Sequence, residues 1–216
     1  MKTFVSIGTG PGMGFATAER FAKEGYAVVL AARNAEKVRD LAEELSGKGL
    51  KAEAATVDTS NAASVEALIA DVKRRHGSVD VVHYNAASMR QEKIGDQPTD
   101  TFALDLATNI GGAQAAAKAA EKAMAGQGSG SLLLTGGGFA LAPSADYISL
   151  SIGKAGIRAL ALGLFDDFKV KGIHVGTVTV AAWVSPGSDH AAAVAEHFWK
   201  LHNEDPGAWT NEIQYS

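Results

Sequence analysis

Short apolar runs alternate with stretches of helical periodicity along the chain. Runs with the length of a β-strand fall at residues 4–7, 26–31, 51–57, 79–85, 131–135 and 173–180, and a short final run falls at 212–215. Helical patterns lie between them, at residues 15–23, 34–45, 61–75, 98–124, 145–169 and 189–201. The run at 26–31, YAVVLA, is continuously apolar, which is typical of a strand covered on both faces.

This alternation predicts a parallel sheet, because each parallel strand needs a crossover helix before the next one. We predict a doubly wound α/β fold of three layers, helix–sheet–helix, which is a Rossmann fold. No repeat or low-complexity linker divides the chain, so residues 1–216 are predicted to form a single domain. Ligands of such sheets bind beyond the carboxyl ends of the strands, where functional residues are therefore expected.

Composition narrows the possible partners. The chain is 46% hydrophobic, 20% charged and carries a net charge of −4, which does not suit a protein that binds the phosphate backbone of nucleic acid. It has no cysteine, and its six histidines lack zinc-binding spacing, so no metal site is expected. The first residues run directly into a strand, and no apolar run has the length of a membrane span. We therefore expect a cytoplasmic protein with a small-molecule substrate and no membrane partner.

Four glycines lie between the first predicted strand and the start of the first predicted helix. They are Gly8, Gly10, Gly12 and Gly14, with Met13 among them. Glycine allows a ligand to approach the backbone closely, and the free amides at a helix N-terminus bind phosphate groups. The turn is thus predicted to hold the pyrophosphate of a dinucleotide; the weaker alternative is a merely flexible turn.

The spacing of Gly8, Gly12 and Gly14 resembles the TGxxxGxG motif of the short-chain dehydrogenase/reductase family, with Ile7 in place of the threonine. Further matches extend the resemblance over nearly the whole chain. The resemblance implies that Asp58 contacts the adenine, that Asn85 and Ala86 of the segment YNAA line the cofactor, that Asn109 and Lys154 are catalytic, and that Val184 offers a backbone contact to the carboxamide. It also implies a homodimer or homotetramer formed through the helices at 98–124 and 145–169. Gly111 and Gly112 inside the first of these helices indicate that another element approaches closely.

The end of the second strand distinguishes between the two nicotinamide cofactors. A carboxylate at this place binds the ribose 2′-hydroxyl of NAD, whereas a basic residue suits the 2′-phosphate of NADP. The sequence has Arg33 and no carboxylate there, so a preference for NADP(H) over NAD(H) is predicted. The alternative is that Arg33 is a solvated residue at the start of a helix.

Two catalytic positions of the family do not match. The expected tyrosine, four residues before Lys154, is Leu150, and the expected serine is Gly137. Tyr147 is predicted to lie on the same helix face as Leu150, one turn earlier and about 10 Å from Lys154 along the axis. Tyr147 is therefore the candidate replacement, with a packing role as its alternative. Other nearby hydroxyls belong to Thr135, Ser144, Ser149 and Ser151.

Three hypotheses follow for the function. The first is an NADP(H)-dependent oxidoreductase acting on a carbonyl or alcohol, with Tyr147 or water as the proton donor. The second is a catalytically degenerate NAD(P)-binding protein with a sensing or subunit role, which Leu150 and Gly137 favour. The third, an α/β protein that binds no nucleotide, would require an accidental glycine turn. The substrate pocket is expected among the loops at 88–97, 138–146 and 184–190.

Overall fold

The computed structural model describes residues 1–216 and contains seven strands and seven α-helices. In chain order they are β1 (Thr3–Ile7), α1 (Met13–Lys23), β2 (Ala27–Ala32), α2 (Ala35–Gly47), β3 (Ala52–Thr56), α3 (Ala62–His76), β4 (Val81–Tyr84), α4 (Thr99–Leu106), α5 (Gly112–Met124), β5 (Gly130–Thr135), α6 (Ile148–Lys169), β6 (Ile173–Val180), α7 (Asp189–His202) and β7 (Glu212–Tyr215).

All seven strands belong to one parallel sheet with the order β3-β2-β1-β4-β5-β6-β7. The chain winds outward from β1 to β3 and then returns to β4 on the other side of β1. The loops after β1 and β4 therefore leave the sheet in opposite directions and open a crevice between them. The predicted doubly wound Rossmann fold is confirmed.

Helices cover both faces of the sheet. Helices α3, α5 and α6 bury one core cluster of 26 residues against one face, and α1, α2 and α7 bury a second cluster of 17 residues against the other. Asn34 caps α2 as predicted, since its side chain accepts a hydrogen bond from the Lys37 amide. Gly77 ends α3 in the left-handed conformation that glycine adopts without strain.

Two predicted helices were wrong in detail. The single helix expected at 98–124 is interrupted by a π-helical turn at Ala107–Gly111, which contains Asn109. The helix expected from residue 145 begins at Ile148, so Tyr147 is the residue before its first turn rather than part of it. The other elements start and end within about two residues of the predicted ranges.

Helix α6 is long and apolar enough to correct one expectation drawn from the sequence. It has 22 residues and is, by length and composition, the one helix that could cross a membrane, contrary to our expectation that no such stretch exists. In the structure, α6 packs on the sheet through Ile157, Ala161 and Phe168, which are buried in the core cluster of that face.

Candidate functional site

The glycine turn lies against the segment that follows β4. Gly8 has a φ of +83°, and a Cβ atom placed on it would lie 2.4 Å from the backbone of Ala86. A Cβ on Gly14 would lie 3.0 Å from the Asn85 amide nitrogen and from the Thr9 Cα. Only glycine fits at Gly8, and a side chain at Gly14 would be crowded, so the turn is held tightly against the loop across the crevice.

Three backbone amides at the start of α1 have no acceptor within the protein. The amides of Gly12, Met13 and Gly14 make no hydrogen bond, whereas the next two, of Phe15 and Ala16, already bond within the turn. No side chain caps this helix, and its first turn carries no acidic residue. Unpaired amides and the positive end of the helix dipole make this N-terminus suited to an anion.

A series of hydrogen-bonded polar side chains holds the glycine turn in place. The Asn85 amide donates to the Gly8 carbonyl at 2.9 Å, and the Thr135 hydroxyl donates to Asn85 Oδ1 at 3.0 Å. Because that hydroxyl proton is committed to Asn85, His83 Nε2 donates to Thr135 Oγ1, 3.0 Å away. Burial, together with the charge of Lys154, lowers the pKa of His83 to about 3, so this histidine is a neutral structural residue.

Arg33 lies at the carboxyl end of β2 with its guanidinium exposed and without a hydrogen bond or ion pair. Asp58 lies after β3, where its carboxylate accepts hydrogen bonds from the hydroxyl and the amide of Ser60. These bonds lower the pKa of Asp58, and the charge of Arg33 adds to the effect, so the two side chains are near each other. The free guanidinium and the serine-anchored carboxylate thus stand at the same edge of the crevice.

Lys154 reaches back from α6 to the end of β5. Its Nζ donates to the Thr135 carbonyl at 2.7 Å, and burial lowers its pKa to about 8. A Cβ on Gly137 would lie only 3.1–3.3 Å from the methylenes of Lys154, so the glycine lets this side chain lie flat against the strand end. Leu150, in place of the family's tyrosine, is 3% exposed and carries no hydrogen-bonding group.

Asn109 anchors the loop that follows β4. Its Oδ1 accepts the Ser88 amide at 2.6 Å, and its Nδ2 donates to the Ser88 carbonyl at 3.2 Å. A Cβ on Gly153 would lie 2.4 Å from Asn109 Cβ, so α6 and the π turn are in close contact. In this arrangement the Asn109 side chain fixes the loop that faces the crevice.

Sequence reasoning missed a buried carboxylate beside this loop. Asp105, on α4, is 1% exposed and accepts hydrogen bonds from Arg90, Gln97, Ser88 and Ser149. Burial alone would raise its pKa, but the Arg90 guanidinium and the two hydroxyls outweigh burial and lower it. Its only sequence signal was an aspartate one turn before Asn109 in an otherwise apolar helix segment.

Tyr147 does not share a helix face with Leu150, because it precedes α6. Its ring stacks on Phe139 at 5.3 Å between centroids and 20° between planes, and Trp183 lies 6.3 Å away. Its hydroxyl makes no hydrogen bond. A β-bridge joins Tyr147 to Glu92, so the loop after β4 runs beside it. Tyr147 is therefore part of an aromatic cluster at the carboxyl edge of the sheet.

The loop after β6 crosses to the glycine turn. A Cβ atom on Gly12 would lie 3.9 Å from the Val184 carbonyl oxygen. A Cβ atom on Gly10 would have no neighbour within 4 Å. The glycine turn, Asn85, Lys154 and Val184 therefore lie together at the carboxyl edge of the sheet. Arg33 follows β2 at the same edge. Fold and turn together define a Rossmann-type α/β protein whose first helix begins with unpaired amides.

Comparison with known proteins identifies the family. The short chain dehydrogenase family model matches residues 2–193. An uncharacterised oxidoreductase of Staphylococcus aureus (strain USA300) is 31% identical over 198 residues, covering 91% of this chain and 81% of that protein. An uncharacterised oxidoreductase of Bacillus subtilis (strain 168) is 29% identical over 214 residues, covering 98% of this chain and 78% of that protein.

Solved structures agree with this result. A short-chain dehydrogenase from Rhodopseudomonas palustris superposes with a TM-score of 0.91 at 25% identity, covering 100% of this chain and 98% of that one. A metagenomic short-chain oxidoreductase in complex with NADP has the same fold, with a TM-score of 0.91 at 21% identity, covering 100% and 97% of the two chains. The chain belongs to the short-chain dehydrogenase family, whose resemblance the sequence motifs had indicated.

Lys154 is expected to reduce the stability of the fold. Its folded pKa of about 8 lies below the ordinary 10.5, so folding at neutral pH must bury a charged ammonium. We expect Lys154→Met to stabilise the protein by about 1 to 2 kcal/mol at pH 7. This gain is smaller than the full pKa difference implies, because the lysine side chain keeps some solvent contact and because the substitution removes one hydrogen bond.

The stability difference between wild type and Lys154→Met should change with pH in a defined direction. Wild-type stability rises relative to the variant as the pH passes from about 8 to 10.5, because only the folded lysine loses its proton there. Chemical denaturation of both proteins across this interval measures the effect. A Lys154→Met protein that is less stable than wild type at pH 7 would contradict the argument.

Proposed function

We propose that this chain is an NADP(H)-dependent oxidoreductase that reduces a carbonyl compound or oxidises the corresponding alcohol. The observation that carries the proposal is the set of three unpaired amides, of Gly12, Met13 and Gly14, at the start of α1 facing the crevice. Three convergent amides at the positive end of a helix suit a diphosphate better than any neutral ligand.

The cofactor would lie across the carboxyl ends of β1 and β4. The proposed binding residues are Gly8, Gly10, Gly12, Met13, Gly14, Arg33, Asp58, Asn85, Ala86, Lys154 and Val184. Arg33 supports a preference for NADP(H), because its exposed guanidinium is unpaired and can form two charge-assisted hydrogen bonds with a 2′-phosphate. The open space at Gly10 leaves room for the phosphates.

When bound, NADPH would supply the hydride, and the protein would supply orientation and a proton. The Lys154 ammonium, at the end of β5, would hold the nicotinamide ribose by its charge. Asn109 and Asp105 keep the loop after β4 in position through Ser88 and Arg90. The Tyr147 phenol, which has no partner in the protein, is the proposed proton donor to the carbonyl oxygen. Its proton would be replaced from solvent, because Tyr147 lies at the open edge of the sheet.

The assembly is proposed to be a homodimer or homotetramer through the segments at 98–124 and 145–169. Leu104 on α4 and Ile152 and Leu162 on α6 are large apolar side chains that remain exposed in the single chain. Burying them against a second copy would remove apolar surface from water.

The second candidate function is binding of NADP(H) without turnover. Leu150 and Gly137 favour it, because neither can transfer a proton or orient a substrate oxygen at the place where the family does so. The third hypothesis, a protein that binds no nucleotide, does not account for the unpaired amides.

An assay of carbonyl compounds with NADPH, followed at the nicotinamide absorbance, tests the proposal. We expect turnover with at least one aldehyde or ketone, and we expect Tyr147→Phe to slow it about 100-fold, since a general acid contributes about 10²–10⁴-fold. Tyr215→Phe, which removes a phenol hydroxyl that bonds to His190, serves as the matched control and should retain wild-type activity.

Two results would count against this assignment. A protein that binds NADPH but turns over no carbonyl compound would establish the second candidate function. Equal rates for Tyr147→Phe and wild type would remove Tyr147 as proton donor and leave bound water in that role.

A further inference from the structure

Large apolar side chains are exposed on three loops at one edge of the sheet. Met89 follows β4 and is 59% exposed, Leu141 follows β5 and is 47% exposed, and Trp183 follows β6 and is 69% exposed. Exposing a tryptophan to this extent leaves much of its ring in water at a cost in free energy. Loops after these strands border the proposed cofactor site, so this apolar surface lies where a substrate must enter.

Three of the rings on these loops form a continuous surface, which we call the aromatic wall: Phe139, Tyr147 and Trp183. Phe139 and Tyr147 are stacked, and Trp183 is tilted by 59° against Tyr147. None of the three side chains makes a hydrogen bond. The wall therefore offers ring faces and edges, and a single phenol, to whatever binds beside it.

The backbone segments that carry the aromatic wall reach both Lys154 and the glycine turn. Phe139 lies two residues after Gly137. A Cβ atom on Gly137 would lie close to the Lys154 methylenes. The next residue, Gly138, would place a Cβ 3.0 Å from the Ala181 side chain, two residues before Trp183. Val184, directly after Trp183, approaches Gly12. The loops that carry Phe139 and Trp183 therefore adjoin the proposed cofactor site.

Replacement of the family's tyrosine by Leu150, and of its serine by Gly137, makes the same region less polar. The size of the wall also limits its occupant. A stable protein interface needs about 800 Å² from each partner, which three side chains cannot supply. Three rings suffice to contact a ligand of one or two rings, and aromatic pairs gain energy from offset stacking beyond the area that they bury.

We propose that the aromatic wall binds the flat, uncharged aryl group of an aromatic aldehyde or ketone and points its carbonyl group toward Lys154. The inference rests on the proposed function for the carbonyl group, whereas the aryl contact depends only on the three rings. Aryl carbonyl compounds are therefore the substrate class of this site, and their saturated ring analogues are poor ligands.

The experiment uses two probes of similar size, benzaldehyde and cyclohexanecarbaldehyde. Each is titrated into the protein saturated with NADP⁺, which cannot reduce an aldehyde, and into the protein alone. We expect benzaldehyde to bind about 10-fold more tightly, since one to two aromatic contacts are worth about 0.5–1.5 kcal/mol each. We expect the preference to fall below about 3-fold in Trp183→Ala. Because Trp183 is exposed, this variant should retain the wild-type melting temperature.

Intrinsic fluorescence gives an independent readout at the same residue. The chain has three tryptophans, and Trp199 and Trp209 lie away from the wall. Benzaldehyde should quench wild-type fluorescence and leave that of Trp183→Phe nearly unchanged. Trp209→Phe is the matched control and should be quenched as wild type is.

Equal affinities for the two probes in wild type, or a preference that survives in Trp183→Ala, would overturn the proposal. So would concentration-dependent association of wild type that is lost in Trp183→Ala, because the wall would then contact a second copy. A protein that binds benzaldehyde through Trp183 but binds neither dinucleotide would overturn the proposed function and leave the aryl contact in place.

Discussion

Replacing Gly112 by alanine is expected to destabilise the protein by about 3 kcal/mol, whereas the same change at the neighbouring Gly111 should stabilise it by up to about 1 kcal/mol. A Cβ on Gly112 would lie 2.3 Å from the Thr59 carbonyl oxygen and from the Tyr84 hydroxyl. The Tyr84 hydroxyl cannot easily withdraw, because it is buried and donates to the Thr108 carbonyl. Gly111 is exposed, and its nearest neighbour would be 3.8 Å from the new atom.

The two variants form a matched pair because both place alanine at helical φ and ψ angles in adjacent positions. Denaturant unfolding at one protein concentration gives the two free energies. Equal changes in the free energy of unfolding for both variants, in the same direction, would contradict the packing of α5 on β4 described above.

Arg33→Ala should lower the affinity for NADPH about 10- to 100-fold and leave the affinity for NADH within about 2-fold. The expected loss corresponds to one charge-assisted, bidentate contact with the 2′-phosphate, worth about 1.5–3 kcal/mol. Arg33 is exposed and makes no hydrogen bond or ion pair within the protein, so the substitution should not disturb the fold. Isothermal titration of each dinucleotide into each protein measures the four affinities.

Arg39→Ala controls for the lost charge, since Arg39 is an equally exposed arginine further along α2. This variant should bind both dinucleotides as wild type does. Wild-type protein that binds NADPH and NADH equally, or an Arg33→Ala protein that loses both in parallel, would show that Arg33 does not select the cofactor.

The doubly wound parallel sheet could be predicted from the sequence because each buried parallel strand is a short apolar run that ends in a turn signal. The run at 26–31 became β2, shifted by one residue, and the run at 131–135 became β5, which begins one residue earlier. The glycine turn could also be predicted from the sequence, because its backbone chemistry depends on residue type and spacing alone.

The details of catalysis could not be read in the same way. Tyr147 was placed on α6, but no side chain caps that helix, so the sequence carried no signal for its first residue. The π turn around Asn109 contacts Gly153 and Ser88, which are distant in sequence. The network around Asp105 likewise joins side chains from α4, α6 and the loop after β4. Such contacts become visible only when the fold brings them together.

Calorimetric titration of NADPH tests the central claim most directly, namely that the amides of Gly12, Met13 and Gly14 bind a diphosphate. We expect saturable binding in the micromolar range, which is usual for cofactors and substrates. We expect binding to be lost in Gly10→Asp, because its carboxylate would stand in open space beside the same amides and repel the phosphates. The absence of binding by NADPH and NADH at millimolar concentration, in protein with a normal unfolding transition, would contradict the account.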